Sequence, residues 1–445
     1  MPNWFGEFSR RTRLAPETRL DVYLPVSASS MQRKVLASWC LYDFANSFYA
    51  VLPAVLWTVY YRTVIVGNEQ GLGDQWWGRA ISSAMLIVAA TSPMMGAIAD
   101  YAGVRKRLLF VYTVVAVAAV ALYATVEPGM ALWGLVVTVV SYVGFEGAQV
   151  FYNSYLPELV PREYQGRVSG WGFATGYAGS LVALVVALPL AERGHFDLTW
   201  LLIASAFLLF SLPAFFWLPG DRPAQLGVGR AARAGVRESW RTFGDILRLR
   251  ETRRFLLAYF FYEDGVNTVI VSAAAFASTT LRFETYVLIL LFAIVQISAL
   301  AGAYLWARPT DRLGPRRVVL LLLVQWTAVV AASYFVTSKE QFFVIAVFAG
   351  SGLGAIQAAS RAFMAGLIPP GREGDFFGFY HLCGKSAAVL GPLLFGEISA
   401  ATSGNQRLAI LSVLVLFVTG GLLLSRVRAG GPTVEPSRAL PSPAS

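Results

Sequence analysis

The chain has 445 residues; 56% are hydrophobic, 14% are charged, and the formal net charge is +10. This apolar content and scarcity of charge are typical of a membrane protein and argue against an ordinary soluble domain. The chain has two histidines, two cysteines and no Gly-x-x-x-x-Gly-Lys-[Ser/Thr] loop. A metal centre, an enzyme and an ATP-driven pump are therefore disfavoured, and no cofactor is predicted.

Twelve windows of about 20 apolar residues follow one another, each long enough to cross a bilayer as a helix. Numbered as spans 1 to 12, they are predicted at 35–62, 80–101, 107–126, 130–156, 167–191, 199–218, 255–280, 285–307, 317–336, 341–367, 375–400 and 407–425. The predicted fold is an all-α membrane protein with two pseudo-symmetric six-helix bundles. They are the N-terminal half, 34–218, and the C-terminal half, 255–426.

The charged segments predict the orientation of these helices. An even number of spans places the N-terminal arm, 1–33, and the tail, 427–445, on one side of the membrane. With both ends in the cytoplasm, most of the 36 lysines and arginines lie on the inner side, as the positive-inside rule requires. We expect no cleaved signal peptide in the charged arm and no order in the tail, which is rich in Pro and Ser. The predicted location is the plasma (inner) membrane.

A basic linker, 219–254, joins the two halves. It carries nine arginines, together with apolar residues spaced for one face of a helix: Trp240, Phe243, Ile246 and Leu247. This pattern predicts an amphipathic helix that lies on the anionic inner leaflet and tethers the half-bundles. The positive net charge is explained by orientation and lipid contact, and no nucleic-acid partner is predicted.

An acidic motif occurs once in each half, as Asp43-x-x-Asn46-Ser47 in span 1 and Asp264-x-x-Asn267-Thr268 in span 7. A carboxylate within a membrane-length helix indicates a functional site. Two repeated halves that share a site near the bilayer midplane are the layout of secondary transporters. The repeat therefore predicts a carrier.

A loop motif is also repeated, as Gly96-x-x-x-Asp100-x-x-Gly103-x-Arg105-Lys106 after span 2 and as Asp311-Arg312-x-Gly314-x-Arg316-Arg317 after span 8. These loops resemble the signature loop of the major facilitator superfamily, although Val104 stands where a basic residue is common. Three longer strings resemble the vacuole effluxer-like branch: Ser38–Tyr49, Tyr152–Glu158 with Gly166–Gly170, and Gln357–Arg361 with Gly374–Tyr380. Its fungal members are implicated in the release of amino acids from the vacuole.

The resemblance implies alternating access, with the two loops serving as a cytoplasmic latch that is broken when the halves rock. The implied gate residues are Asp100, Gly103, Arg105, Lys106, Asp311, Gly314, Arg316 and Arg317. The alternative is ordinary surface charge, which contributes little to stability.

Polar residues deep in the spans predict the cavity. Spans 1, 4, 7 and 10 carry charges in their middles, whereas spans 3, 6, 9 and 12 do not, so the former group should face a polar interior. The ionisable groups lie roughly 12 to 17 Å from the inner end at about 1.5 Å per residue, near the midplane. The predicted substrate or coupling-ion residues are Asp43, Asn46, Glu146, Gln149, Asn153, Asp264, Asn267, Gln357, Arg361 and Lys385.

The acids on spans 1 and 7 have two possible roles. Asp43 or Asp264 is predicted to carry the coupling proton, and the alternative is a structural ion pair or a contact with a helix end. Glu263 precedes Asp264 and must point about 100° away on a helix, so only one of the two faces the cavity squarely. The match with Asp43 favours Asp264.

The bases on spans 10 and 11 are similarly open to two interpretations. Arg361 either clamps a substrate carboxylate or neutralises Glu146. Lys385 is either an anion contact or a counter-ion. His381 is a weak candidate for a proton relay.

These patterns together predict a secondary active transporter for a small zwitterionic or anionic solute, such as an amino acid. The predicted partners are the solute, a coupling proton or sodium ion, and membrane lipids; the protein is predicted to be a monomer. The alternative is a lipid-handling protein of the flippase kind, or a membrane receptor, on the same fold.

Overall fold

In a computed structural model, every regular element is helical, and no strand occurs among the residues that the structure describes. Those residues are 30–67, 72–224, 228–277, 281–283, 285–387, 390–403 and 405–428. The predicted all-α membrane fold is confirmed. The predictions for most of the tail and most of the arm concern residues outside the described ones.

The helices coincide with the predicted spans and keep their numbers below. In the N-terminal half they are Ser30–Leu52, which continues through the π-helical turns Pro53–Trp57 and Tyr61–Ile65, then Leu72–Ala102, Arg105–Leu122, Ala131–Ser154, Arg162–Glu192 and Phe196–Trp217. The linker contains the helix Val228–Arg248. In the C-terminal half they are Arg250–Ala275, Thr285–Leu313, Pro315–Phe335, Lys339–Leu367, the pair Glu373–Ser386 and Leu390–Ala401 (span 11), and the pair Gln406–Ser412 and Leu414–Ser425 (span 12).

Nine of the described helices are long and apolar enough to cross a membrane. The other predicted spans are 1, 7 and 11. Spans 1 and 7 are less apolar because each contains at least one buried acid and begins with charged residues, and span 11 is divided into two shorter helices. The structure is consistent with twelve spans, and that number stays a prediction.

Two helix pairs make the most extensive contacts between the halves. Span 5 packs against span 8, and span 2 packs against the first helix of span 11. Small residues permit this approach: a Cβ on Gly96 would lie 2.2 Å from the carbonyl oxygen of Gly374, and one on Gly170 would lie 2.6 Å from the Cβ of Ala307. Close contact between backbones favours packing where lipid supplies no hydrophobic drive.

The linker helix packs against span 2 and the first helix of span 11. Ile246, which the sequence placed on the membrane-facing side, is buried with Thr242 against the protein. Trp240, Phe243 and Leu247 remain exposed. The predicted apolar face is therefore wrong at Ile246, because that residue lies on the side of the helix that docks on the protein, where Thr242 donates to Asp375. Contact of the exposed side chains with lipid stays a prediction.

Candidate functional site

A central cavity of about 520 Å³ lies between the two halves. Spans 1, 2, 4, 5, 7, 10 and 11 line it, so both halves contribute. The predicted cavity residues that do line it are Asp43, Asn46, Glu146, Gln149, Asn153, Asn267, Gln357, Arg361 and Lys385. Asp264 is absent from the lining, and Glu263 is present.

Arg361 is held by the opposite half. Its Nη1 lies 3.3 Å from an oxygen of Asp43 and donates to Oδ1 of Asn153 at 3.2 Å. Its Nε donates to the Ser169 hydroxyl and its Nη2 to the Ser169 carbonyl, both at 2.8 Å. The guanidinium also lies 4.2 Å from the ring centre of Phe173. The ion pair with Glu146, one of the two sequence interpretations, does not form, because Asp43 is the acid that faces Arg361.

Glu146 has two basic neighbours from the other half. Nζ of Lys385 donates to it at 2.6 Å, and Nε2 of His381 lies 3.3 Å from its other oxygen. Lys385 is thus the counter-ion of Glu146 in this conformation. The cavity therefore contains two ion pairs, Asp43 with Arg361 and Glu146 with Lys385, and each pair joins the N-terminal half to the C-terminal half.

Glu263 and Asp264 have the opposite orientation from the one expected. The Asp264 carboxylate accepts hydrogen bonds from the backbone N–H groups of Leu390 and Gly391, each at 3.1 Å. A carboxylate there satisfies the unpaired donors at the start of the helix Leu390–Ala401. Because adjacent residues point about 100° apart, this contact turns Glu263 toward the cavity.

Glu263 is the acid that sequence reasoning set aside. It is 8% exposed, it lines the cavity, and it forms no ion pair or hydrogen bond within the described part of the chain. In the sequence, Glu263 was indicated only by its position beside Asp264. The repeated acidic motif favoured Asp264, which is the wrong member of this pair.

The predicted gate acids both contact the opposite half. Asp100 accepts from the N–H groups of Gly374 at 3.1 Å and Asp375 at 2.9 Å. Asp311 accepts from the N–H of Arg167 at 2.9 Å, and its other oxygen lies 3.2 Å from the Arg167 Nε. These two symmetric contacts and the glycine contacts close one end of the molecule.

The remaining predicted gate residues act within their own halves. Arg105 pairs with Glu158, and Nζ of Lys106 donates to the Leu218 carbonyl at 2.6 Å. Arg316 donates to carbonyls at the end of span 12. Gly103 and Gly314 have φ angles of +62° and +84°, which favour glycine. Arg317 has no ion pair among the described residues.

Arg222 of the linker forms a further contact with both halves, which the sequence did not indicate. It bridges Glu158 of the N-terminal half at 3.1 Å and Glu373 of the C-terminal half at 3.0 Å. Burial opposes its charge, but the hydrogen bond to Glu373 and the nearby acids raise the pKa of Arg222. It therefore remains charged, and the linker reinforces the closed end.

A sequence model of the family described as "Vacuole effluxer Atg22 like" matches residues 79–431. The chain is 29% identical to an uncharacterised MFS-type transporter, YxiO, of Bacillus subtilis (strain 168), over 88% of this chain and 94% of that one. It is 25% identical to autophagy-related protein 22 of Yarrowia lipolytica, over 76% of this chain and 72% of that one.

Solved structures show the same architecture. The human organic anion transporter MFSD10 has a TM-score of 0.73 at 17% identity and covers 88% of this chain and 99% of its own. The proton:xylose symporter XylE has a TM-score of 0.71 at 15% identity and covers 89% of this chain and 96% of its own. Likenesses at this identity establish the fold alone.

Proposed function

Because the chain belongs to the Atg22-like vacuole effluxer family of major facilitator transporters, we propose that it carries a small zwitterionic or anionic solute, such as an amino acid, with proton coupling. The protein is a multi-pass integral membrane protein and is not an enzyme. The substrate class and the coupling ion are the parts that we propose.

The two ion pairs across the cavity carry the proposal of a zwitterion. A substrate carboxylate can replace Asp43 at Arg361, whose planar fork suits a carboxylate, and a substrate ammonium can replace Lys385 at Glu146. Both replacements exchange contacts between the halves for contacts with the solute. Binding would then favour a different arrangement of the halves, which is what alternating access requires.

Proton coupling is proposed for Glu263, in place of the expected Asp43 or Asp264. Asp43 is paired with Arg361, Glu146 with Lys385, and Asp264 caps a helix. Glu263 alone among these acids has a buried carboxyl group and no described partner. A charge there is costly and protonation removes it, so this group is suited to carry a proton between the two sides.

The charged groups around Glu263 include Lys385 of span 11, which attracts it electrostatically. The phenol groups of Tyr177, Tyr259 and Tyr380 also interact electrostatically with Glu263. Lys385 is engaged by Glu146 in this conformation. Release of Lys385 toward Glu263 when solute binds would link the solute to the proton.

A proteoliposome assay tests both parts of the proposal. We expect Glu263→Gln to abolish amino-acid accumulation driven by a pH gradient and to retain counterflow exchange, because exchange requires no net proton movement. The matched control is Asp264→Asn at the neighbouring position. The folded fraction of this variant should retain uptake driven by the pH gradient. If wild type neither accumulates nor exchanges any amino acid, the substrate proposal is wrong. If Glu263→Gln accumulates solute normally, the coupling assignment is wrong.

We further propose that the closed end is cytoplasmic, as the positive-inside rule predicts, and that the chain is a monomer of the plasma membrane. The structure would then represent the outward-facing state. The family name refers to the vacuole. In a vacuolar membrane the same orientation would also place the charged loops in the cytosol.

A further inference from the structure

A second cavity, of about 500 Å³, lies at the closed end, away from the central site. The start of span 5, the loop between spans 8 and 9, and the end of span 10 line it. Its charged residues are Arg162, Arg312, Arg316, Arg317 and Asp311. Its volume is in the range of pockets that hold small organic molecules, about 300 to 1,000 Å³.

The positive charge of this cavity is poorly neutralised. The lining has one acid, Asp311, which already binds Arg167. Arg316 donates only to uncharged carbonyl groups at the end of span 12. Arg162, Arg312 and Arg317 form no ion pair with any carboxylate in the described ranges.

Two helix N-termini add to this positive charge. The helix Arg162–Glu192 begins at the cavity, and so does the helix Pro315–Phe335. Neither has a side-chain hydrogen bond at its N-cap residue, Pro161 or Gly314. The positive end of each helix dipole favours a nearby anion, and the Asp311 carboxylate already lies near the start of the first of these helices.

We propose that this cavity binds a phosphate-bearing anion, supplied either by the headgroup of an anionic lipid or by a soluble phosphate compound. Arginine guanidinium groups bind phosphate with paired hydrogen bonds, and Phe363 and Leu367 supply an apolar wall for the rest of the molecule. Arg162 comes from the N-terminal half and the other arginines from the C-terminal half. A bound anion therefore joins the two halves beside Asp311 and stabilises the closed end.

Anion titrations of the purified full-length protein test the proposal. The probes are sodium pyrophosphate, in neutral detergent, and phosphatidylglycerol in mixed micelles, each compared with sodium chloride or phosphatidylcholine at matched ionic strength. The midpoint of thermal unfolding is followed, because a ligand that binds the folded state raises it. The variants are Arg312→Gln/Arg317→Gln, both exposed, and Arg162→Gln from the other half.

We expect the double variant to weaken binding of the effective probe by about tenfold or more, because two guanidinium groups lose their charge-assisted hydrogen bonds to the phosphate. The control Arg79→Gln/Arg193→Gln removes the same charge from exposed positions at the other end and should change binding less than about twofold. Arg162→Gln should act in the same direction as the double variant.

The outcomes separate the two sources. Stabilisation by phosphatidylglycerol alone assigns the site to a lipid headgroup, and stabilisation by pyrophosphate alone assigns it to a soluble compound. An equal loss in the control shows general charge attraction and contradicts the proposal. So does a wild-type protein that neither probe stabilises beyond its neutral reference.

Discussion

At the scale of single residues, the cavity is organised by the partners of its charges. Arg361 is 3% exposed and has hydrogen bonds to Asp43, Asn153 and Ser169 of the other half. Taking an arginine out of water is costly unless such partners compensate it. A solute carboxylate that displaces Asp43 would also compensate the buried charge of Arg361. A neutral solute would leave the ion pair of Asp43 and Arg361 intact and would gain little binding energy from it.

This reasoning predicts opposite effects for the two members of the pair. Arg361→Lys should weaken amino-acid binding by about tenfold or more, because a lysine keeps the charge and loses the planar fork. Asp43→Asn should bind the solute as tightly as wild type or more tightly, because it frees Arg361. Equilibrium binding to purified protein measures both.

Unchanged affinity in the arginine variant would show that Arg361 only neutralises Asp43. Lys385→Arg likewise replaces one base by the other, at the second ion pair. It should change the binding of the solute's ammonium group.

At the scale of elements, the ends of spans 2 and 8 hold the halves together through helix N-termini. Asp100 binds the first N–H groups of the helix Glu373–Ser386, and Asp311 binds an N–H near the start of the helix Arg162–Glu192. A carboxylate at a helix N-terminus is stabilised both by hydrogen bonds and by the helix dipole. These contacts exist only while this end is closed, so they act on the conformational equilibrium.

Asp100→Asn should therefore lower the transport rate with little change in solute affinity. The lost interaction, about 0.5 to 2 kcal/mol, corresponds to a change of roughly 2- to 30-fold in the population of the closed-end state. Rates of uptake and equilibrium binding, measured on the same preparation, distinguish the two quantities.

Asp311→Asn is the matched variant in the other half and should change the rate in the same direction. A large loss of solute affinity in either variant, with unchanged accessibility of the two sides, would instead indicate a binding role.

At the scale of the whole molecule, contacts between the halves run from the cavity layer to the end that holds Asp100 and Asp311. The linker helix packs at this same end and presents Trp240, 70% exposed, together with several arginines. Basic residues are retained on the cytoplasmic side of a membrane. The closed end, the linker and both termini should thus be cytoplasmic.

Cysteine labelling tests this orientation. In a Cys40→Ser/Cys383→Ser background, an impermeant maleimide should label Trp240→Cys only after the membrane is made permeable. Glu127→Cys, exposed in the loop between spans 3 and 4, should be labelled in intact cells. Labelling of residue 240 from outside would invert the orientation and the assignment of the outward-facing state.

The sequence alone determined the class of the molecule, its helices and most of the polar residues of its cavity. A charge within a membrane-length helix is tolerated only where it faces protein or water, so Asp43, Glu146, Arg361 and Lys385 had to converge on the interior. The repeated loops likewise located Asp100 and Asp311 at equivalent helix ends. These inferences hold because they depend on depth and composition, which are local properties of the chain.

Only the tertiary structure decided which groups meet. The pairing of Arg361 with Asp43 depends on the rotation of helices from opposite halves, which a linear pattern does not contain. The choice between Glu263 and Asp264 depends on the break in span 11, because the freed N–H groups near Leu390 attract one acid and turn the other toward the cavity. The arginine cavity is assembled from three distant segments, so its unbalanced charge arises only when the chain is folded.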